Sequence, residues 1–407
     1  MKAPHWKDGE SKNAFRYAGF FVLFLIFLLA YTEGGSLGAE PIKVGLLLPD
    51  SKNSSSLGNP YLRGAEMAVS EVNAREGKQG TQLLLVLRRG QFIGEKDLKV
   101  LEESLWEDRI RFLIGTVSTE AILPTARVAY EKGVPFLVFP NNFLTAVSTG
   151  EEPPNLFWIS PAPEAFQRAA VRTVAQLGPK RYFLLAQNSN IGRIWVKYFG
   201  EELRKLKPDA LQAGGVFLPE KVDDYTPYIQ DVISAKAEIC VSHLGTDGWT
   251  RFARVAKKQG YFKKVVHFEL ESGNLEALVN LGKKAPMGVW GITAFPFWGV
   301  TWKETQDFVS KYFQKNNSYP GLDALSGYVS VYAIIEAIKK ARSLEYEKLM
   351  ASLEDLTFRT PVGLLSFRKA DHRALWPIWC GVSKFNSNYP FVTLEDLKAF
   401  GPDSFAP

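Results

Sequence analysis

Short apolar runs alternate with helical periods along most of this chain. Ile42–Leu48, IKVGLLL, is apolar enough throughout for a strand buried on both faces. From about Pro60 to Glu76, residues Ala65, Ala68, Val69 and Val72 fall on one face of a helix. Pro60 stands in its first turn, where a missing N–H leaves no bond unmade. Gln82–Arg88 reads as a second strand, and Leu98–Trp106 lies on the next helix. The stretch Ile110–Phe143 organises the rest of the chain. Phe112–Ile114 is a buried run, and a turn at Gly115-Thr116-Val117-Ser118-Thr119 comes after it. Ala121, Ile122, Thr125, Val128 and Ala129 recur at helical spacing, Gly133 stops the helix, and Phe136–Phe139 is apolar again. Two apolar strands joined by such a helix predict a βαβ unit with a right-handed crossover.

The alternation continues after Leu156–Ile159 and the Ser160-Pro161-Ala162-Pro163 turn. Strands are predicted at Tyr182–Ala186, around Val216-Phe217, and at Ala237–Val241, Val265–Phe268 and Met287–Thr293. Helices are predicted at Ile191–Leu206, Tyr225–Ile233, Trp249–Lys258 and Asn274–Leu281. A β-then-α rhythm that occurs twice predicts two parallel-sheet domains with helices on both faces. The last third departs from it. Trp302–Gln314, Leu322–Arg342 and Tyr346–Leu353 read as helices. The second of these is apolar nearly all round and should be buried. Leu364–Phe367 and Leu375–Val382 read as a strand pair turning at Ala370-Asp371-His372-Arg373.

Composition narrows the class. A chain of 407 residues with 46% apolar residues predicts two ordinary globular domains. Two cysteines far apart, Cys240 and Cys380, form no disulfide framework and read as buried thiols. Four scattered histidines and no HxxxH or CxxC spacing give no metal site. Lys2, Lys7, Lys12 and Arg16 precede a 15-residue apolar core, Tyr17–Tyr31, and then small residues up to Ala39. That is the layout of a signal peptide over residues 1–39, or of an uncleaved N-terminal anchor. The core is short beside the ~20 residues of a spanning helix. A net charge of +6 without a basic block gives little support to nucleic-acid binding. No G-x-G-x-x-G follows the first strand, and neither a P-loop nor G-x-S-x-G appears, so no enzyme and no cofactor are expected.

Ligands in parallel sheets bind at the carboxyl ends of strands. Here those ends carry Ser118-Thr119 and Asn141-Asn142. A hydroxyl pair at a helix start, with its unpaired N–H groups, favours a small anion such as a carboxylate; the same pair also serves as a plain helix cap.

The ordered segments IKVGLLLP, GNPYLRGAEMAVSEVNA, FLIGTVSTEAILPTARVAYEKGVPFLVFP, LFWISPAPEAFQRAA, YFLLAQNSNIGR, DALSGYVSVYAIIEAI and LTFRTPVGLLSFRKADHRALWPIW resemble a known family. It is the type I periplasmic solute-binding proteins of the branched-chain amino-acid (leucine/isoleucine/valine) class, which serve ABC transporters. The resemblance spans nearly all of Ile42–Val382. It implies an α/β fold of the periplasmic-binding-protein-like I type: two doubly wound parallel-sheet lobes joined by a hinge of three crossovers. By similarity, lobe one is 41–160 plus 297–359 and lobe two is 161–296 plus 360–396. The resemblance also implies a ligand cleft between lobes that close over the solute.

Site residues carry over by position. Ser118 and Thr119 match the hydroxyl pair that holds a carboxylate. Asn141-Asn142 stand where the family has an Ala-x-Thr-type loop. Ile191 replaces the aromatic residue before a glycine in the second lobe, with Asn188 nearby as a polar substitute. The acid that binds an ammonium falls on Glu269 or Glu271. His243 sits where a second-lobe contact is common, or is a plain hydrogen-bonder. Leu57 and Trp298 lie on loops that reach the cleft, where Trp298 stacks on the solute or packs near the hinge. The implied function is extracytoplasmic capture of an amino-acid-like, amide or carboxylate solute for an importer. The alternative is a sensing domain that reports solute to a membrane receptor. The implied partners are the solute and permease subunits in the inner membrane. The implied place is the periplasm, free or tethered by the leader, and a monomer is expected.

Overall fold

The computed structural model describes residues 40–50, 58–77, 81–142, 144 and 150–401. The leader at 1–39 and the loop position Leu57 lie outside the described residues. The chain enters on β1 (Ile42–Leu48), α1 (Asn59–Glu76), β2 (Leu83–Arg89), α2 (Glu95–Glu107), β3 (Phe112–Gly115), α3 (Thr119–Glu131), β4 (Phe136–Val138) and β5 (Leu156–Trp158). Strands β1 to β5 run parallel, and β1 lies between β2 and β3. The strand order therefore reverses between β1 and β3, and a crevice opens outside their carboxyl ends.

The chain then crosses to a second sheet. It carries α4 (Pro163–Leu177), β6 (Arg181–Gln187), α5 (Asn190–Leu206), β7 (Leu211–Leu218), α6 (Thr226–Ser234), β8 (Ile239–His243), α7 (Gly245–Lys258), β9 (Val266–Glu269), α8 (Leu275–Leu281) and β10 (Trp290–Thr293). It returns as α9 (Lys303–Asn316), α10 (Leu322–Ala341), α11 (Tyr346–Glu354), β11 (Thr357–Thr360), β12 (Gly363–Arg368) and β13 (Arg373–Ala374), and finishes on β14 (Ile378–Lys384) and β15 (Thr393–Phe400). The first sheet has the order β11-β12-β13-β5-β4-β3-β1-β2 and the second β15-β14-β10-β9-β8-β6-β7.

Two expectations about the last third are corrected. The strand pair 364–367 with 375–382 forms only at its turn end, where Phe367 faces Ala374 and the Leu375 N–H donates to the Ser366 carbonyl at 2.8 Å. Residues Gly363–Arg368 pair with Thr357–Thr360 and with Arg373–Ala374, whereas Ile378–Lys384 pairs antiparallel with β10 and β15 of the other sheet. The lobe boundary at 359/360 moves accordingly: β12 and β13 extend the first sheet, and the third crossover falls between Ala374 and Ile378. Pro377 in that gap has no N–H to give to a ladder. Trp376 in the same gap donates its indole N–H to the Ile159 carbonyl at 2.9 Å, which ties the third crossover to the first. Trp298 acts similarly at the second crossover, donating to the Leu394 carbonyl of β15 at 2.7 Å.

Helix α10 is buried on nearly every face, as its sequence requires. Val329, Val331, Ile334 and Ile335 are all fully enclosed. Each such side chain contributes about 1.5–3 kcal/mol by leaving water. The helix lies against α1 at backbone distance. A Cβ built on Gly64 would stand 1.8 Å from the Ala324 carbonyl oxygen, and one built on Gly327 would stand 2.0 Å from that of Tyr61. Tyr61 and Ser330 share a 2.7 Å hydrogen bond across the same contact. Cys240 and Cys380 are free, buried thiols.

Candidate functional site

A cavity of about 640 Å³ lies between the two sheets' carboxyl ends. Its first wall comes from lobe one: Gly58, Arg63, Thr116, Asn141 and Asn142. Thr116 is the first residue past β3, and its hydroxyl donates to the Asn141 amide oxygen. The Asn141 N–H donates to the Val117 carbonyl at 2.9 Å, so the two strand tips are fastened together. The second wall comes from lobe two: Gly245, Thr246, Glu271, Asn274 and Glu276. Thr246 Oγ1 and Asn274 Nδ2 donate to Glu271 Oε2 at 3.2 and 3.3 Å. Burial raises the Glu271 carboxyl above its ordinary range, and these two hydrogen bonds oppose the rise. Thr293 at the end of β10 and Phe295 and Trp298 of the second crossover, with Tyr312, Tyr319 and Asp323, close the remaining side. One guanidinium, Arg63, thus faces three carboxylates, Glu271, Glu276 and Asp323.

Behind Glu271 stands Glu269, which is fully buried. Its Oε1 accepts the N–H of Glu271 at 3.1 Å and of Leu244 at 3.3 Å, and its Oε2 meets the Ser242 hydroxyl. Burial pushes the Glu269 carboxyl up to about 8. His267, also buried, is pushed down to about 3, and His243 down to about 4, by loss of water alone. These shifts set a stability profile with two limbs. The folded state holds Glu269 neutral, so stability falls as pH rises from the ordinary 4.5 to about 8. It holds both histidines neutral, so stability also falls as pH drops below the ordinary 6.5. The limbs overlap below pH 6.5, where two histidines outweigh one glutamate, so urea midpoints measured against pH should peak near pH 6.5. Glu269→Gln should flatten the alkaline limb, which amounts to roughly 2 kcal/mol between pH 6.5 and about 8. An unchanged alkaline limb in that variant would contradict the assignment.

The structure brings together Asn141, Asn142, Glu271 and Trp298 of the residues expected from sequence. Of the two candidate acids, Glu271 lines the cavity and Glu269 supports it from below. The other expected residues do not line this cavity. Ser118 stands at the start of α3, and its Oγ is buried without a hydrogen-bond partner among the described residues. Thr119 is exposed in the first turn of the same helix. Thr116 takes the cavity position because Val117 turns inward, only 2% exposed, before the helix begins. Asn188 accepts a hydrogen bond from Arg193 at 2.6 Å on the surface, and Ile191 sits in the first turn of α5. His243 packs its ring against Trp195, with centroids 5.8 Å apart. All three stand at or just past the carboxyl ends of β6 and β8, beside the cavity but not among the residues that line it. A separate cavity of about 420 Å³ opens at that side and shares only Gly245 and Thr246 with the first.

Arg63, Thr116, Thr246, Tyr319 and Asp323 were not anticipated. The Ser318-Tyr319-Pro320-Gly321 turn could have marked the last two, since turn residues next to a helix start often line clefts.

Two lobes of parallel sheet, three crossovers and a polar cavity at the strand tips define a bilobal binding protein. A family model described as periplasmic binding protein matches residues 41–386. The chain belongs to that family, the periplasmic binding proteins. It is similar to the Leu/Ile/Val-binding protein homolog 7 of Brucella suis, 23% identical over 343 residues, covering 79% of this chain and 83% of that protein. It is also similar to the leucine-, isoleucine-, valine-, threonine-, and alanine-binding protein of Pseudomonas aeruginosa, 23% identical over 361 residues, covering 85% and 90%. Among solved structures, an ABC solute-binding protein of R. palustris in complex with 4-hydroxybenzoate superposes with a TM-score of 0.71 at 16% identity, covering 90% of this chain and 99% of that one. An ABC-type branched-chain amino acid transporter protein of Rhodopseudomonas palustris gives 0.72 at 22% identity, covering 89% and 97%.

Proposed function

We propose that the cavity captures a small amino-acid-like solute and that closure of the lobes over it presents the loaded form to a permease in the inner membrane. The observation that carries this reading is the division of the cavity. Arg63, the one cationic side chain of the lining among the described residues, stands on the lobe-one wall with Thr116, Asn141 and Asn142, whereas the lobe-two wall carries the Glu271 and Glu276 carboxylates beside Thr246 and Asn274, with Asp323 on the side between. A solute with a carboxylate at one end and an ammonium at the other satisfies both walls. Ser118, two residues past the cavity-lining Thr116, does not line the cavity, but its buried hydroxyl has no partner among the described residues, and a carboxylate reaching the start of α3 would supply one. Similarity to Leu/Ile/Val-binding protein homologues supports the amino-acid reading, and similarity of fold to an ABC-type branched-chain amino acid transporter protein favours import over sensing. Export by residues 1–39, free or tethered, and action as a monomer complete the proposal.

The test is a thermal-shift screen with leucine, leucinamide, benzoate and 4-hydroxybenzoate. Binding to the folded state alone raises the transition by RT ln(1 + [L]/Kd), about 2.7 kcal/mol at a hundredfold excess over Kd. Leucine or a close analogue should give the larger shift. Asn141→Ala should remove most of it, and the double variant Ser118→Ala, Thr119→Ala should reduce it. A shift with benzoate alone would overturn the amino-acid class. A full response in both variants would overturn the placement of the carboxylate.

A further inference from the structure

A continuous hydrogen-bonded chain runs under the lobe-two wall. It begins at the Tyr261 hydroxyl, which meets His267 Nδ1 at 3.0 Å. His267 Nε2 meets the Ser242 hydroxyl at 2.7 Å, and that hydroxyl meets Glu269 Oε2. Glu269 Oε1 then holds the N–H groups of Leu244 and Glu271. Ser242, His267 and Glu269 are each at most 1% exposed, and Tyr261 is fully enclosed. The far ends of the two held loops are Gly245, Thr246 and Glu271, all on the cavity.

We propose that Glu269 is a positioning residue for the lobe-two wall, and that its single proton sets the direction of every hydrogen bond along Ser242, His267 and Tyr261. Ser242 Oγ also lies 3.5 Å from the Phe268 carbonyl, at the edge of hydrogen-bond reach; with its single proton given to one of the two nearer partners, the donor rules leave two arrangements. With Glu269 neutral, its O–H donates to Ser242 Oγ, Ser242 donates to His267 Nε2, and His267 Nδ1–H donates to the tyrosine oxygen. With Glu269 ionised, Ser242 donates to Oε2, His267 Nε2–H donates to Ser242, and the tyrosine donates to Nδ1. Between the two, one proton leaves, and the imidazole changes tautomer without becoming charged. The backbone N–H groups of Leu244 and Glu271 donate to Oε1 in both states, so the wall keeps its shape while its charge changes.

The titratable groups facing Glu269 are Glu271, His267, Tyr261, Tyr225 and Cys240. None of them is a cation while the histidine is neutral, so an ionised Glu269 adds a second negative charge behind Glu271. A positive group bound at Glu271 favours that ionised state. The affinity of such a solute should therefore rise with pH. This consequence rests on the amino-acid reading of the cavity; the tautomer change does not.

The experiment uses the full chain labelled with ¹⁵N-histidine, which holds four histidines in all. His267 ring-nitrogen shifts should pass from Nδ1–H to Nε2–H as pH rises through about 8 in the wild type. Glu269→Gln mimics the neutral acid, donating to Ser242, and should stay Nδ1–H throughout. Ser242→Ala cuts the relay and should uncouple His267 from pH. Should Glu269→Gln not fold, Ser242→Ala alone decides. A wild-type His267 with one tautomer throughout, or the same switch in either variant, overturns the proposal. In a second arm, leucine affinity from about pH 6 to about pH 8.5 should rise about tenfold in the wild type and stay flat in Glu269→Gln. A flat wild-type profile with leucine bound overturns the charge coupling. Failure of leucine to bind counts against the solute class and leaves the tautomer result to stand.

Discussion

Gly327→Ala is expected to lower the unfolding midpoint of the chain more than any other single methyl addition along α10. The new Cβ would meet the Tyr61 carbonyl at 2.0 Å, with the carbonyl carbon at 2.8 Å and the Ala65 N at 3.1 Å. All three are helix backbone, which cannot rotate aside as a side-chain end would. The helices must part, and overpacking of this kind costs about 3 kcal/mol. Gly64→Ala on the facing helix, at 1.8 Å from the Ala324 carbonyl oxygen, should behave alike. Gly94→Ala serves as the control. Nothing lies within 4 Å of its added Cβ and its φ is −79°, so it should lose only the preference for glycine at a helix N-cap, about 1 kcal/mol or less. Urea denaturation of the three variants makes the comparison. Equal midpoints for all three would mean that the two helices are not in backbone contact. The same pair of helices carries Arg63 beside Gly64 and Asp323 beside Ala324. Parting them should therefore also weaken solute binding, even though neither glycine touches the cavity.

Glu271→Ala should have the largest effect on binding with little effect on folding. Its carboxylate is held by Thr246 and Asn274, and both can turn to water in the open cavity once it is gone. Asn274 keeps its own role at the start of α8, where its side chain accepts the Glu276 N–H at 2.9 Å. Removing the partner of a buried positive group typically costs 2–5 kcal/mol, so a loss of about a hundredfold in leucine affinity is expected by calorimetry. The sign discriminates between solute classes. An aromatic carboxylate such as benzoate would be relieved of a like charge and should bind the variant at least as well. Unaltered leucine affinity would remove Glu271 from the site.

The fold was legible where burial on both faces makes a strand uniformly apolar, as in IKVGLLL and RYFLLAQ, or where a helix shows one apolar stripe. It was not legible at β11 and β15, TFRT and TLEDLKAF, whose mixed polarity suits strands near a sheet edge but also suits loops. The misassigned strand pair has the same origin. Leu364–Phe367 and Leu375–Val382 are adjacent in sequence and of similar polarity, and nothing local reveals that Trp376 is anchored to a crossover more than two hundred residues earlier.

The site divides along similar lines. Asn141, Asn142 and Glu271 follow apolar strands, and strand tips of a parallel sheet point to the crevice by topology alone. Arg63 and Asp323 sit on helices, and their approach to the cavity depends on how closely α1 and α10 pack. The two glycines permit that approach, but a glycine in a helix does not announce its neighbour. The choice of Ser118-Thr119 over Thr116 turned on where β3 hands over to α3, and helix starts shift by a residue or two with cap geometry.

The second sheet depends on the end of the chain. Strand β14 pairs with β10 and is itself covered by β15, so until residues 378–400 emerge β10 offers an open edge with no partner. Every earlier strand of that lobe is made more than eighty residues beforehand, yet none can complete the layer. A nascent polypeptide of this design leaves that layer unfinished, with one edge of β10 bare, until residues 378–400 have been made.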